Sequence, residues 1–412
     1  MKKMRKTLAL LLSVCVLCTA CGGNTENEQN NTASENETSE KETSEKKSVS
    51  ASEEQETTLK DNETETTEKA MSTDTATTEK STTQKETESK AEETTLAENV
   101  TVQGNDDSVM TPYEAHGKLS VSGTKLVDKN GNTYRLKGAS THGIAWFPQY
   151  VSYDTFKYLR DNFGVNVVRI AMYTAEYAGY CSGGNKEELK DLVKKGVDAA
   201  TQLGLYVIID WHILSDSNPQ QNKAEAISFF SEMSSLYKNQ DNVIYEICNE
   251  PNGGTSWADI KSYAMEVIPA IRGNDSDAII VVGTPTWSQD VDVASFDKIT
   301  GYDNIMYALH FYAATHKQWI RDKAQTAINN GLALFVTEFS ICDASGNGVL
   351  DINEANLWLD FLNKNGISFV GWSLSNKAES SAMFQSWCGK TADFEESELS
   401  EWAKWLKESI AR

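Results

Sequence analysis

Short apolar or β-branched runs recur through the second half of the chain: Tyr134–Ser140, Val165–Met172, Tyr206–Trp211, Val243–Cys248, Ala278–Gly283, Met306–Phe311, Ala333–Thr337 and Ser368–Ser373. Their starts lie about 27–41 residues apart, which leaves room for a strand, a helix and two loops. Between them the period changes. Glu187–Leu203 places Leu189, Leu192, Val193, Val197 and Ala200 three and four residues apart, the spacing of one helical face. Ala224–Tyr237, Trp257–Ile271, Trp319–Asn329 and Asn353–Asn363 read likewise. Eight such βα units in about 280 residues predict an α/β fold, a TIM (β/α)8 barrel. A doubly wound sheet is the alternative, but no Gly-rich phosphate loop follows the first strand. Gly117–Tyr134, with Lys129-Asn130-Gly131-Asn132, reads as a hairpin ahead of that strand.

The alternation stops upstream of residue 111. Residues 22–110 hold 23 acidic and 8 basic side chains and no Phe, Trp, Tyr or Pro. Such a Thr/Glu/Ser-rich acidic tract cannot repay the entropy of ordering. It is expected to be a disordered linker spanning roughly 50 Å as a coil. Before it, Lys2, Lys3, Arg5 and Lys6 precede an apolar run, Leu8–Leu17, too short for a membrane span and typical of an export signal. Leu17-Cys18-Thr19-Ala20-Cys21-Gly22 resembles the lipobox of bacterial lipoproteins, although Cys18 stands where Leu is usual. That resemblance implies cleavage after Ala20 and lipidation of Cys21. The expected organisation is a signal peptide over 1–20, a tether over 21–110 and a folded body over 111–412.

The whole chain carries 60 acidic and 38 basic residues, a net of −22, which argues against nucleic acid as a partner. Its mean hydropathy of −0.47 argues against a polytopic membrane protein. All ten Trp lie in the folded body. In a barrel the active site lies at the C-terminal strand ends, and here those ends read Thr141-His142-Gly143, Asp210-Trp211-His212, Asn249-Glu250-Pro251, His310-Phe311-Tyr312, Thr337-Glu338-Phe339 and Gly371-Trp372-Ser373. Polar, ionisable and aromatic groups thus gather at one pole. Glu250 and Glu338 each close an apolar strand, where a buried charge is costly. Two carboxyls facing one acetal carbon are the machinery of glycoside hydrolysis.

These segments, with Leu136–Gly143, Val168–Tyr173, Tyr245–Pro251 and Gly371–Ser381, resemble glycoside hydrolase family 5, the cellulase family, over about 110–412; the last stretch is most similar to its bacterial secreted endo-β-1,4-glucanases. The resemblance implies a retaining endo-β-1,4-glucanase with Glu250 as acid/base and Glu338 as nucleophile. It implies Arg169 holding Glu338 ionised, His310 and Tyr312 orienting the pair, and Asn249 bonding the sugar 2-hydroxyl. His142, His212, Tyr173, Trp146 and Trp372 would line the sugar cleft, with Lys377 and Glu379 further out. Phe339 and Asn376 depart from the Trp and Asp common in the family, and both are expected beside the cleft. Trp211, Trp257, Trp358, Trp402 and Trp405 are assigned to the core.

The implied partner is a β-1,4-glucan, with membrane contact only through a lipid anchor, placing the protein at a bacterial cell surface, likewise a monomer without cofactor. The same chemistry on mannan, xyloglucan or mixed-linkage glucan stays open, as does a non-catalytic surface glycan-binding lipoprotein. Asp343, Ser345, Asn347, Asp351 and Glu354 fit the ligand spacing of a calcium loop, but the single copy follows a strand, and a polar βα loop is the plainer reading. Cys181, Cys248, Cys342 and Cys388 allow disulfides whose pairing the sequence does not specify.

Overall fold

The computed structural model describes residues 110–412. The signal peptide, the tether and Cys21 lie outside the described residues. Eight parallel strands close into a barrel: β1 Lys137–Thr141, β2 Val167–Tyr173, β3 Tyr206–His212, β4 Val243–Glu246, β5 Ile279–Val282, β6 Ile305–Tyr312, β7 Leu334–Ser340 and β8 Ser368–Leu374, with β8 paired to β1. The principal helices around it are α1 Tyr153–Phe163, α2 Lys186–Gln202, α3 Lys223–Tyr237, α4 Trp257–Arg272, α5 Val291–Phe296, α6 Gln318–Asn329, α7 Ile352–Asn365 and α8 Glu401–Ala411. The expected TIM barrel is therefore found, and each expected strand overlaps an observed one.

Three helices, α1, α5 and α8, go beyond the five expected. The first has legible ends: Ser152 Oγ accepts the Thr155 N–H, and Gly164 closes it at φ 74°. The hairpin is present, but its strands are Ser120–Ser122 and Lys125–Val127. The chain reverses at Gly123, φ 60°. Asn130-Gly131 instead makes a second reversal, closed by the Gly131 N–H to Asp128 O and an isolated Val127–Thr133 bridge. Leu119 and Leu126 of this hairpin pack in one cluster with Val167, Tyr206, Ile244 and Phe335, so the hairpin plugs the barrel's N-terminal end.

Strand period two decides what enters the barrel. Along β2, Val168, Ile170 and Met172 join the large outer core against the helices. Val167 belongs to the lower inner cluster, and Ala171 and Tyr173 to the upper one. Arg169 lies between them. Strand β3 runs in full register with β2, so Asp210 aligns with Ala171 and His212 with Tyr173. The interior is thus layered: apolar below, charged in the middle, aromatic and polar above. Strand β7 breaks the rule. It pairs Phe335 with Ala308 and Glu338 with His310 on one side, and Val336 with Phe369 and Phe339 with Gly371 on the other. Three residues of β7 match two of each neighbour, which is a β-bulge. It lets Thr337 and Glu338, adjacent in sequence, both bond inward-facing groups.

The five tryptophans assigned to the core are all buried. Trp358 stacks on Phe311 at 3.8 Å. Phe339 does not face the cleft: it packs edge-on against Phe369, Trp402 and Trp405 in the outer core. Residue 339 follows an inward-facing Glu338 and so points outward, where it shapes packing rather than specificity. Asn376 donates its Nδ2–H to Cys388 O and is not part of the cleft wall. Among the described residues the four cysteines, Cys181, Cys248, Cys342 and Cys388, are free thiols. Among the described residues no helix is long and apolar enough to cross a membrane.

Candidate active site

A cleft of about 740 Å³ opens over the C-terminal strand ends, with Glu250 and Glu338 at its floor. A side-chain oxygen or nitrogen from each of Glu250, His310 and Glu338 lies within 4.8 Å of the other two. That carboxyl spacing suits a retaining pair, since inverting pairs stand about 6.5–9.5 Å apart to admit a water.

Both carboxyls are held from below. The Tyr312 hydroxyl donates to Glu338 Oε1 at 2.8 Å. Arg169 Nη1 donates to Glu338 Oε2 at 3.3 Å. His310 Nδ1 lies 2.9 Å from Glu250 Oε1, and its Nε2 lies 2.9 Å from Thr337 Oγ1. Thr337 in turn donates to Glu246 Oε1 at 2.7 Å. Burial raises Glu250 to about 8, offset in part by Arg169. Burial also raises Glu338, and a charged Glu250 would raise it further; His310, Arg169 and His212 oppose both effects. Two carboxyls this close share one charge most readily. With Glu250 neutral the repulsion vanishes, leaving Arg169 and Tyr312 to stabilise an ionised Glu338. Burial pushes His310 down to about 4, so it is a neutral imidazole at neutral pH.

Beneath them Arg169, fully buried, serves more partners than Glu338 alone. Its Nε and Nη2 grip Glu246 at 2.7 and 3.2 Å. Nη2 also reaches Asn249 Oδ1 at 2.6 Å and Asp210 Oδ2 at 3.0 Å. Burial raises Asp210 to about 7 against the pull of Arg169. His212 Nδ1 lies 2.6 Å from Asp210 Oδ2.

The cellulase family model, described as glycosyl hydrolase family 5, matches residues 127–378. The chain belongs to this family. It is 51% identical to Endoglucanase A of Butyrivibrio fibrisolvens over 72% of this chain and 69% of that protein. It is likewise 51% identical to an endoglucanase of Clostridium saccharobutylicum, over 71% of this chain and 65% of that one. The chain thus spans about two thirds of the length of these curated relatives. The catalytic domain of Thermobifida fusca endoglucanase Cel5A, solved in complex with cellotetraose, is similar to this chain with a TM-score of 0.70 and 36% identity, covering 74% of this chain and all of that domain.

As a family 5 glycoside hydrolase, the protein brings together most of the residues expected at its site. His142, Trp146, Tyr173, His212, Glu250, His310, Tyr312, Glu338, Trp372, Lys377 and Glu379 all line the cleft. His212 stacks on Trp372 at 5.1 Å, and Trp146 leans on Tyr173 at 4.6 Å. Lys377 pairs with Glu379 at 2.6 Å. Arg169 and Asn249 lie below the cleft surface. Asn249 is tied to the layer beneath: its Nδ2 donates to Ile213 O at 3.1 Å and faces His212 Nε2 at 3.3 Å, while Oδ1 accepts from Arg169. The buried guanidinium takes that acceptor and fixes the orientation of the amide.

The calcium loop does not assemble. Asp351 pairs with Lys317 and Glu354 with Arg321, while Asp343 Oδ1 accepts from the Ser345 backbone and hydroxyl. Ser345 lies in the cleft wall, and Asn347 Oδ1 accepts from Ser380 N–H. Among the described residues, Glu250, His310 and Glu338 form the one group of His, Cys, Asp or Glu side chains spaced for a cation. His310 already bonds Glu250, and Glu338 accepts from Tyr312 and from Arg169, whose charge opposes a second cation.

The sequence reading missed Asp210, Glu246 and Thr337 below the cleft, and Glu176, Thr286, Trp287, Gln289 and His316 along its wall. Asp210 and Glu246 had a signal: each is a charge at an inward position of an apolar strand. Trp287 had none. It stands 44% exposed on a run of left-handed residues, Thr286, Trp287 and Ser288, with φ of 58, 55 and 55°. Tertiary bonds hold this run, Trp287 N–H to Pro251 O at 2.9 Å and the Ser288 hydroxyl to Asn249 O at 2.6 Å.

Removing Arg169 strands Glu246, Asp210 and Glu338 without a counter-charge. Arg169→Met is expected to destabilise the fold by about 3–5 kcal/mol, read from urea unfolding; a loss below 1 kcal/mol would show the three carboxyls to be neutral without it.

Proposed function

We propose that the protein is an endo-β-1,4-glucanase that cleaves internal bonds of a β-glucan with retention of configuration. The observation that carries the mechanism is the close carboxyl pair, one member held as an acid and the other supported as a carboxylate. Endoglucanase relatives at 51% identity and a similar domain bearing cellotetraose support the substrate class. In the first step Glu338 attacks the anomeric carbon as the glycosidic C–O bond breaks, and Glu250 gives its proton to the departing oxygen. The product is a glycosyl ester on Glu338. In the second step the Glu250 carboxylate takes a proton from water, whose oxygen attacks the same carbon and releases Glu338. Trp372, Tyr173 and Trp146 offer apolar faces to pyranose C–H groups. His142, Lys377 and Glu379 offer polar partners to hydroxyls.

Hydrolysis of carboxymethyl-cellulose by the purified full chain should lower viscosity rapidly and release product of retained configuration by NMR. Glu250→Gln and Glu338→Gln should each cost at least about 10³-fold in kcat. Inverted product, or activity confined to mannan or xyloglucan, would overturn the respective part of the reading. The acid must be protonated to work, so kcat/KM should fall as pH rises through about 8, the value to which burial lifts Glu250. A flat profile from pH 6 to 10 would remove Glu250 from that role.

We further propose that the chain is anchored at a bacterial cell surface through Cys21, with the acidic tract as tether. The support is the charged, apolar and small-residue order of residues 1–22. Cys21→Ala should move cellulase activity from the membrane fraction into the medium; unchanged fractionation argues against the anchor.

A further inference from the structure

The bonds around His310 fix more than its position, because the protons on them can be counted. Thr337 has one hydroxyl proton. Glu246 Oε1, 2.7 Å away, accepts it, since both Glu246 oxygens already receive N–H groups of Arg169. Toward His310 Nε2, at 2.9 Å, Thr337 Oγ1 therefore only accepts. Nε2 must carry the proton. In a neutral imidazole Nδ1 is then a bare lone pair. Its 2.9 Å contact with Glu250 Oε1 is a hydrogen bond only if the carboxyl supplies the hydrogen.

We propose that Thr337 and Glu246 are positioning residues that lock His310 as its Nε2–H tautomer and thereby keep Glu250 protonated in the resting enzyme. The inference rests on Glu250 being the acid of the proposed reaction. Order passes from Arg169 to Glu246, Thr337, His310 and Glu250, each group fixing the proton of the next. The β7 bulge makes this possible by presenting Thr337 inward beside Glu338. The lock serves both half-reactions. Before cleavage it stores a proton on Glu250. After cleavage it sets a lone pair against the new carboxylate, which strengthens Glu250 as the base that takes a proton from water. Burial favours the same state, holding His310 near 4 and Glu250 near 8. The charged and titratable groups facing this pair are Arg169 and Tyr173 from β2, Asp210 and His212 from β3, Glu246 from β4, Tyr312 from β6 and Glu338 from β7. None of them contacts His310 Nε2 as closely as Thr337 does: Glu246 Oε1 stands 3.8 Å away.

The test removes the hydroxyl and keeps the shape. In Thr337→Val, His310 loses its acceptor at Nε2 and is left facing Glu246. It should then protonate Nδ1 and donate to a Glu250 carboxylate. The alkaline limb of kcat/KM on carboxymethyl-cellulose should move down by about one pH unit, the size of one hydrogen bond to a charged group. Thr337→Ser should keep the wild-type limb. The second readout is independent of substrate. The chain has five His, so ¹⁵N-histidine NMR of the full chain can resolve the tautomer of His310. The wild type and Thr337→Ser should show neutral Nε2–H at pH 7, and Thr337→Val either Nδ1–H or imidazolium. A wild-type His310 that is cationic or Nδ1–H at pH 7 would overturn the proposal, and so would an unchanged limb and tautomer in Thr337→Val. If Thr337→Val does not fold, the wild-type spectrum decides alone. A wild type that shows the expected tautomer but leaves the glucan intact would count against the glucanase reading and in favour of the lock.

Discussion

One fully buried guanidinium organises this barrel. Arg169 sits in the middle layer with Asp210, Glu246 and Glu338 within 3.3 Å; Glu338 is one bond from it, Tyr312 and His212 two, and Glu250 is reached through Glu246, Thr337 and His310. A bare cation there would be prohibitive, and so would three bare carboxylates. Together they satisfy one another, and their geometry is transmitted upward: through Asn249 and Asp210 to His212, through Glu246 and Thr337 to His310. A layer that costs stability in desolvation thus gives the site a fixed set of orientations, the preorganisation on which acid–base and electrostatic catalysis depend.

The division of labour between two chemically identical residues follows from what surrounds them. Glu338 receives donors, a phenol and a guanidinium, which favour its charged form. Glu250 meets a neutral imidazole in an environment that disfavours charge. The two environments push the carboxyls toward opposite protonation states, which is the condition for one to attack while the other donates. The aromatic rings His142, Trp146, Tyr173, His212 and Trp372 of the cleft wall pack against one another, so that wall is rigid. Trp287 stands apart on a left-handed turn held by hydrogen bonds to Pro251 O and Asn249 O.

Much of the fold was legible because it rests on period. The eight apolar runs sit at strand positions, and their polar ends sit at one pole, since all strands of a (β/α)8 barrel run the same way. The paired carboxyls of the cleft floor were legible for the same reason: each terminates an apolar run, where no structural need explains a charge. Phe339 was misread because a strand's alternation decides where its side chain points, and that is not visible in a motif. The hairpin was found but its tight turn misplaced, because Asn130-Gly131 is the stronger local signal while pairing chose Gly123.

By itself the sequence determined the order of the eight strands, the barrel, the family and the pair of strand-end carboxyls, because these depend on local periodicity and on residues at strand ends. Only the tertiary structure decided the distances and the protons. The bulge in β7 appears only when its register is compared with both neighbours. The relay from Arg169 to His310 joins residues on four different strands, as far apart in the chain as Arg169 and Thr337. Whether a carboxyl is an acid or a nucleophile depends on which donors and acceptors other strands bring within about 3 Å, and that is a property of the closed barrel, not of any segment of it.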